Sequence, residues 1–332
     1  MKFQKQMRIC MILFVVLIST VIIALCAGRY TMNLNDISNA IFQKGLNSQM
    51  DTVVWNIRLP RIIMSVLIGA GLSVSGVCLQ AMFGNPLVSA HTLGVSYSAG
   101  FGAALGILIF NNFLYIQVLA TIMGFLGMFI TYRMSRKNGQ SSILMLVLSG
   151  VIVGAVFEAL TSLIKFVADP EQKLPAITYW LMGSMAGTSW FDILKAAPFV
   201  VVSIAILWML RWRLNVISLS EDEAISLGIN IRQTRILIII TTTVIASVAV
   251  SFCGVIAFVG LAVPHLMRML CGNDHRVLLT ANFLGGGIFL LVIDTLARSA
   301  TATEIPLSIL TAVVGAPIFA LLLHKTGGVW DD

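Results

Sequence analysis

An all-α polytopic membrane bundle of about ten transmembrane helices, forming one domain over residues 1–332, follows from three features of this sequence. Charge is scarce: the 332 residues are 58% hydrophobic and 11% charged, against about 25% charged in soluble domains. Apolar runs recur at 9–28, 62–83, 93–110, 113–132, 142–166, 191–210, 236–256, 257–270, 277–297 and 306–324. Most approach the roughly 20 residues that cross a hydrocarbon slab. Basic residues also gather on one side. With the N-terminus inside, 13 of the 21 Lys and Arg lie in or beside the cytoplasmic segments, as positive-inside orientation requires. The other eight are Arg29, Lys44, Arg58, Arg61, Lys165, Lys173, Lys195 and Arg298, several of them at outer helix ends.

The first run follows Lys2, Lys5 and Arg8 and has the outline of a signal peptide. It is longer than a signal core and lacks an A-x-A site, so a retained first span is expected. The second run is the one around which the chain is organised. Arg58 and Arg61 flank Pro60, and no charge then appears from Ile62 to Phe83. Gly69, Gly71, Ser73, Ser75 and Gly76 let helix backbones approach closely, which matters in lipid because apolar burial cannot drive association there. Gly84-Asn85-Pro86 ends this run, with the Asn85 side chain suited to replace lost backbone partners. By spacing alone this is a turn between helices. The seventh and eighth runs are nearly continuous, and within the eighth Pro264 is expected to interrupt the helix ladder.

Tryptophans 55, 180, 190, 208, 212 and 330 fall near run ends, as in an interfacial belt. A weak internal echo also appears. Val66, Ser73, Gly76, Val77 and Pro86 match Val244, Ser251, Gly254, Val255 and Pro264 at one offset. The two copies lie an odd number of spans apart, so they run in opposite directions. That makes spans 2–5 and 7–10 an inverted repeat of the kind transporters use.

The charged and polar landmarks each admit a plain reading. Glu221, Asp222 and Glu223 favour a helix start and Gly228 a stop, giving a short cytoplasmic helix with Ala224, Ile225 and Leu227 on an apolar side. Such a helix serves as a solvated connector or as a docking element. Asp294 and Arg298 are spaced for an i,i+4 bridge. Glu158 lies well inside span five, where a pathway carboxyl and a hydrogen-bonded structural one are both open. His265 has no His, Cys or carboxylate three or four residues away, so it reads as a helix-end hydrogen-bonding residue rather than a metal ligand. The five cysteines form no CxxC pair and read as apolar packers.

Several classes are excluded. No basic cluster interleaves with stacking aromatics, which argues against nucleic acid. No GxxxxGK[ST] loop, HExxH or complete GxSxG is present. The chain is therefore not expected to be an enzyme, and no metal or cofactor is expected within it.

Longer motifs sharpen this reading: RLPR (58–61), GNPL (84–87), LGVS (93–96), WLMGS (180–184), FVGLAVPHLMR (258–268), NDHR (273–276), EIP (304–306) and GAPIF (315–319). In this order, over nearly the whole chain, they resemble the permease family of ABC importers for iron–siderophore, haem and vitamin B12. The resemblance implies ten helices per subunit, paired as a homodimer (or with a paralogous permease) around a conduit in the bacterial cytoplasmic membrane. Two separate ATPase subunits, which bind ATP and Mg, would sit inside, and a soluble substrate-binding protein would dock outside. By match, Arg58, Arg61 and Arg298 would meet acidic residues of that binding protein. Asn85 and Leu87, with Ser141 and Ser142, would form the cytoplasmic gate. Glu223, Ala224, Leu227 and Gly228 would fit the ATPase cleft. The rival readings are a stand-alone ion-coupled secondary transporter and a purely structural membrane subunit.

Overall fold

The computed structural model describes residues 2–28, 30–42, 48–110, 112–137, 140–141, 143–218, 221–301 and 303–326. Arg29, Lys44 and Trp330 lie outside them. Among the described residues, ten helices correspond to the ten apolar runs: α1 (Lys2–Cys26), α4 (Leu59–Phe83), α5 (Val95–Ile109), α6 (Phe113–Ser135), α7 (Ile143–Val167), α9 (Trp190–Met209), α12 (Ile231–Cys253), α13 (Val259–Cys271), α14 (His275–Ser299) and α15 (Leu307–Thr326). Shorter helices α2 (Leu34–Phe42), α3 (Ser48–Thr52), α8 (Lys173–Met182), α10 (Arg211–Ile217) and α11 (Glu221–Ser226) sit in the connections. A π-helical turn over Val53–Arg58 joins α3 to α4. Seven helices are long and apolar enough to cross a membrane, counting Gln49–Phe83 as one; α5, α13 and the apolar part of α15 are shorter.

Helix α4 is the axis of the bundle, and its sequence explains why. Pro60 occupies the first turn, where a missing N–H costs nothing. Nearly every residue from Pro60 to Phe83 is buried. A Cβ at Gly69 would lie 2.3 Å from the Gly286 carbonyl oxygen of α14, and one at Gly76 would lie 2.0 Å from the Gly260 oxygen of α13. Only glycine permits either crossing. Beside the first, the Ser73 hydroxyl donates to Asn282 Oδ1 at 2.8 Å. The helix ends at Gly84 in the left-handed region, φ 58°.

The inverted repeat is visible in the order and pairing of helices. Lengths run 25, 15, 23 and 25 residues through α4–α7, and 23, 13, 25 and 20 through α12–α15. Contacts map in pairs: α4 packs on α14 and α13, whereas α12 packs on α6 and α5, and α4 meets α12. The matched letters do the same work in each half. Ser73 bonds into α14, while Ser251, its counterpart, reaches the Gln117 carbonyl of α6 at 3.5 Å. Short helices α5 and α13 both open on a left-handed residue, Gly94 at φ 81° and Phe258 at φ 64°.

The seventh and eighth spans part where the apolar runs 236–256 and 257–270 meet, but Pro264 does not end a helix. Residues 254–258 are non-helical, and α13 runs through Pro264. Pro264 has no N–H to offer the Gly260 carbonyl four residues back, and that carbonyl is the one seated against Gly76. The proline thus serves a helix crossing. His265 is accordingly mid-helix rather than at a helix end, buried with its ring edge-on to Phe319 of α15 at 6.0 Å.

Helix α1 is the peripheral element. Of its buried residues, Gln6, Cys10, Leu17 and Ala24 form one stripe at spacings of four and seven, with Leu25 beside its end. That stripe lies along α14. Most of its remaining surface is apolar and exposed.

Candidate functional site

The three arginines at the outer end are brought together, and they are buried: Arg58 is 2% exposed, Arg61 5% and Arg298 8%. The last turn of a helix leaves carbonyls without partners, and cations there also favour the helix dipole. Arg58 donates to the Leu25, Cys26 and Tyr30 carbonyls. Arg298 donates to the Ala24 and Ala27 carbonyls, the latter at 2.9 Å. These two side chains therefore cap the end of α1. The chain passes between them at Gly28, φ 146°, where a Cβ would come within 3.0 Å of the Arg58 guanidinium.

Arg61 has a different partner. Its guanidinium bonds both Asp294 oxygens at 2.9–3.0 Å and Glu304 Oε1 at 2.9 Å. Asp294 is fully buried, while the Glu304 side chain is 32% exposed. The i,i+4 partner, Arg298, approaches Asp294 only to 4.0 Å. The dominant ion pair thus crosses from α4 to α14, between residues 233 apart in sequence.

At the inner end, Asn85 Oδ1 accepts the Leu87 N–H at 2.8 Å, the side-chain replacement that its position predicts. Leu87 is 44% exposed. Ser141 pairs with Arg136 in a two-residue antiparallel ladder, β1 (Arg136–Lys137) with β2 (Gln140–Ser141). Ser142 lies outside the described residues. The acidic run does start α11, and Gly228 stops it at φ 75°. Ala224 is buried against Val216 and Ile229, whereas Glu223, Leu227 and Gly228 are exposed. Next to this surface, Asp274 caps α14 by accepting the Arg276 N–H at 3.0 Å and the Asn215 amide at 2.8 Å. The Arg276 guanidinium beside it holds the Asp274 carboxyl down at about 2, so this cap stays ionised at any physiological pH.

Glu158 lies on the exposed face of α7, about 22 Å along the axis from Ile143 and about 14 Å from Val167. Among the described residues its carboxylate has no hydrogen-bond or ion-pair partner. Tyr97 of α5 is near enough to interact with it electrostatically, and packs its ring against Gly154 one turn earlier.

Sequence reasoning missed three features. Phe258 holds a left-handed backbone at the start of α13 and packs against Gly315 of α15. The carbonyl partners of Arg58 and Arg298 are backbone atoms, which no sequence pattern marks. A cavity of about 510 Å³ opens among Phe113, Tyr179, Trp180, Asp192 and Phe252. Its walls come from separate segments.

Two halves repeated in opposite directions, with a left-handed break in each and ten helices on the ten apolar runs, form the kind of bundle found in transport permeases. The chain belongs to the FecCD transport family, whose model matches residues 15–325. It is 41% identical over 319 residues to the molybdate import system permease protein MolB of Haemophilus influenzae, covering 94% of each chain. It is 40% identical over 286 residues to the cobalamin import system permease protein BtuC of Halobacterium salinarum, covering 86% of this chain and 77% of that one. A solved metal-chelate type ABC transporter in an inward-facing conformation superposes with TM-score 0.87 at 37% identity, over 96% of this chain and 99% of that one.

Proposed function

We propose that two copies of this chain, or this chain and a paralogous permease, enclose a passage through the bacterial cytoplasmic membrane. The passage carries an iron–siderophore, haem or vitamin B12 inward from a soluble binding protein. A separate ATPase, holding ATP and Mg, drives it by alternating access. The exposed face of α7 lines the passage, and Asn85, Leu87, Ser141 and Ser142 close its inner end. The observation that carries this reading is α11: a six-residue helix held to the bundle through buried Ala224, with Leu227 and the open Gly228 turn offered outward. A solvated connector has no need of that arrangement, and a cleft on a partner does.

The outer arginines carry the docking role less directly than the resemblance implies. Arg58 and Arg298 point their terminal guanidinium nitrogens at carbonyls at the end of α1 and at Tyr30, and Arg61 points its own at Asp294 and Glu304. An acidic docking protein therefore meets the cluster at half-exposed Glu304, by exchange for its carboxylate on Arg61.

The test is reconstitution. The chain is placed in liposomes with a co-purifying ATPase and with the binding protein, and uptake of the bound solute is followed. Uptake should require ATP and the ATPase. Uptake by this chain alone under an ion gradient would establish a secondary transporter instead.

A further inference from the structure

Two carboxylates lie at bilayer depth in this bundle, and the fold treats them oppositely. Asp294 is fully buried and held by Arg61. Glu158 is exposed and has no such partner among the described residues. A carboxylate facing acyl chains is expensive, so intramembrane acids face a bundle interior or a water-filled space. The surface around it divides accordingly. Val151, Ala155, Glu158 and Ser162 recur at spacings of three and four, forming one narrow exposed stripe of mostly small or polar residues. The adjoining exposed stripe is bulky and apolar, with Leu148, Ile152 and Leu163.

Among the described residues, no ion pair cancels the charge. Along α7 the next cation is Lys165, about 10 Å nearer the outer end. Tyr97 stands on the other side, and His91 behind it has its ring centroid 4.7 Å away. Burial pushes the His91 imidazole below its ordinary value, so it adds no cation. In a narrow passage with low-dielectric walls, the field of one wall charge is focused rather than screened.

We propose that Glu158 is a charge filter on the passage wall, admitting cationic or neutral metal chelates and holding back free oxyanions. The proposal rests on the reading of α7 as a passage-lining helix, and it narrows the cargo class within that reading.

The test needs no knowledge of the cargo. The full-length chain carrying Ala155→Cys, one turn from Glu158 on the same stripe, is reconstituted in liposomes. Its modification is timed with two methanethiosulfonates of similar size, one bearing a trimethylammonium group and the other a sulfonate; neither crosses lipid. The unaltered chain, run in parallel, reports its five native cysteines, four of them buried. The cationic reagent should react faster, and adding Glu158→Gln should cut that preference by about tenfold. Adding Glu158→Asp should keep it, which a merely structural role for the side chain would not predict. A preference that ignores Glu158→Gln overturns the filter and leaves the passage standing. Failure of both reagents to modify the Ala155→Cys chain overturns the passage assignment of this face, and the filter with it.

Discussion

At the scale of single residues, the outer arginines show how a burial environment redefines a charged motif. RLPR reads as a cationic patch, yet its two guanidinia are turned inward. Arg58 caps a helix end, and Arg61 satisfies a buried carboxylate on a distant span. The first arrangement replaces bonds that backbone carbonyls would otherwise lack. In the second, the attraction between the ions offsets two desolvation costs, so its value shows only when one partner is removed. Arg61→Met should therefore destabilise the protein by about 3–5 kcal/mol, because it leaves Asp294 buried without its main partner. Arg61→Met combined with Asp294→Leu should recover most of that loss. Apparent melting temperatures in detergent read both outcomes. A double variant no more stable than the single would mean that the pair itself, and not the orphaned charge, carries the stability.

At the scale of elements, glycine is used in two distinct ways, and the distinction is measurable. Gly76 is required by a neighbour, since its absent Cβ leaves room for the Gly260 carbonyl that Pro264 frees. Gly84 is required by its own backbone: it sits at φ 58° with nothing within 4 Å of where a Cβ would be. Gly76→Ala should force α4 and α13 apart and lower the yield of folded protein sharply. Gly84→Ala should cost only the strain of a left-handed residue, roughly 1–2 kcal/mol. Size-exclusion profiles of the two variants in detergent distinguish them. Equal behaviour would mean that the α4–α13 crossing relaxes without loss. The small-residue content of the second span was legible in the sequence because lipid offers no other driving force for close packing. Its partners were not, because Gly260 and Gly286 are brought to it by topology. That helix α13 runs on through Pro264 was not legible for a related reason. A proline marks a missing donor, and here Gly76 occupies the space beside the carbonyl left without one.

At the scale of the whole molecule, the bundle's two halves were legible from five matched letters because Ser73 and Ser251 make corresponding contacts in oppositely directed helices. The short helix α11 was legible as well, since an acidic start and a glycine stop are local signals. The sequence could not show which way that helix faces, and the orientation decides what it can do. Among the described side chains of α11, Ala224 packs against Val216 and Ile229, leaving Leu227 and Gly228 exposed for a partner. Under the proposed function, force from the ATPase reaches the spans through that surface, so bulk added there should break coupling without unfolding the chain. Gly228→Trp has open space around it in this chain, and it should leave the permease assembled but abolish ATP-driven uptake. Gly228→Asn provides the control: asparagine tolerates a left-handed backbone and adds little bulk, so uptake should persist. Both variants are measured in liposomes containing the ATPase and the binding protein, with ATP hydrolysis and solute uptake followed together. Loss of uptake in both would assign the effect to backbone strain. Normal uptake in Gly228→Trp would move the coupling site off this turn.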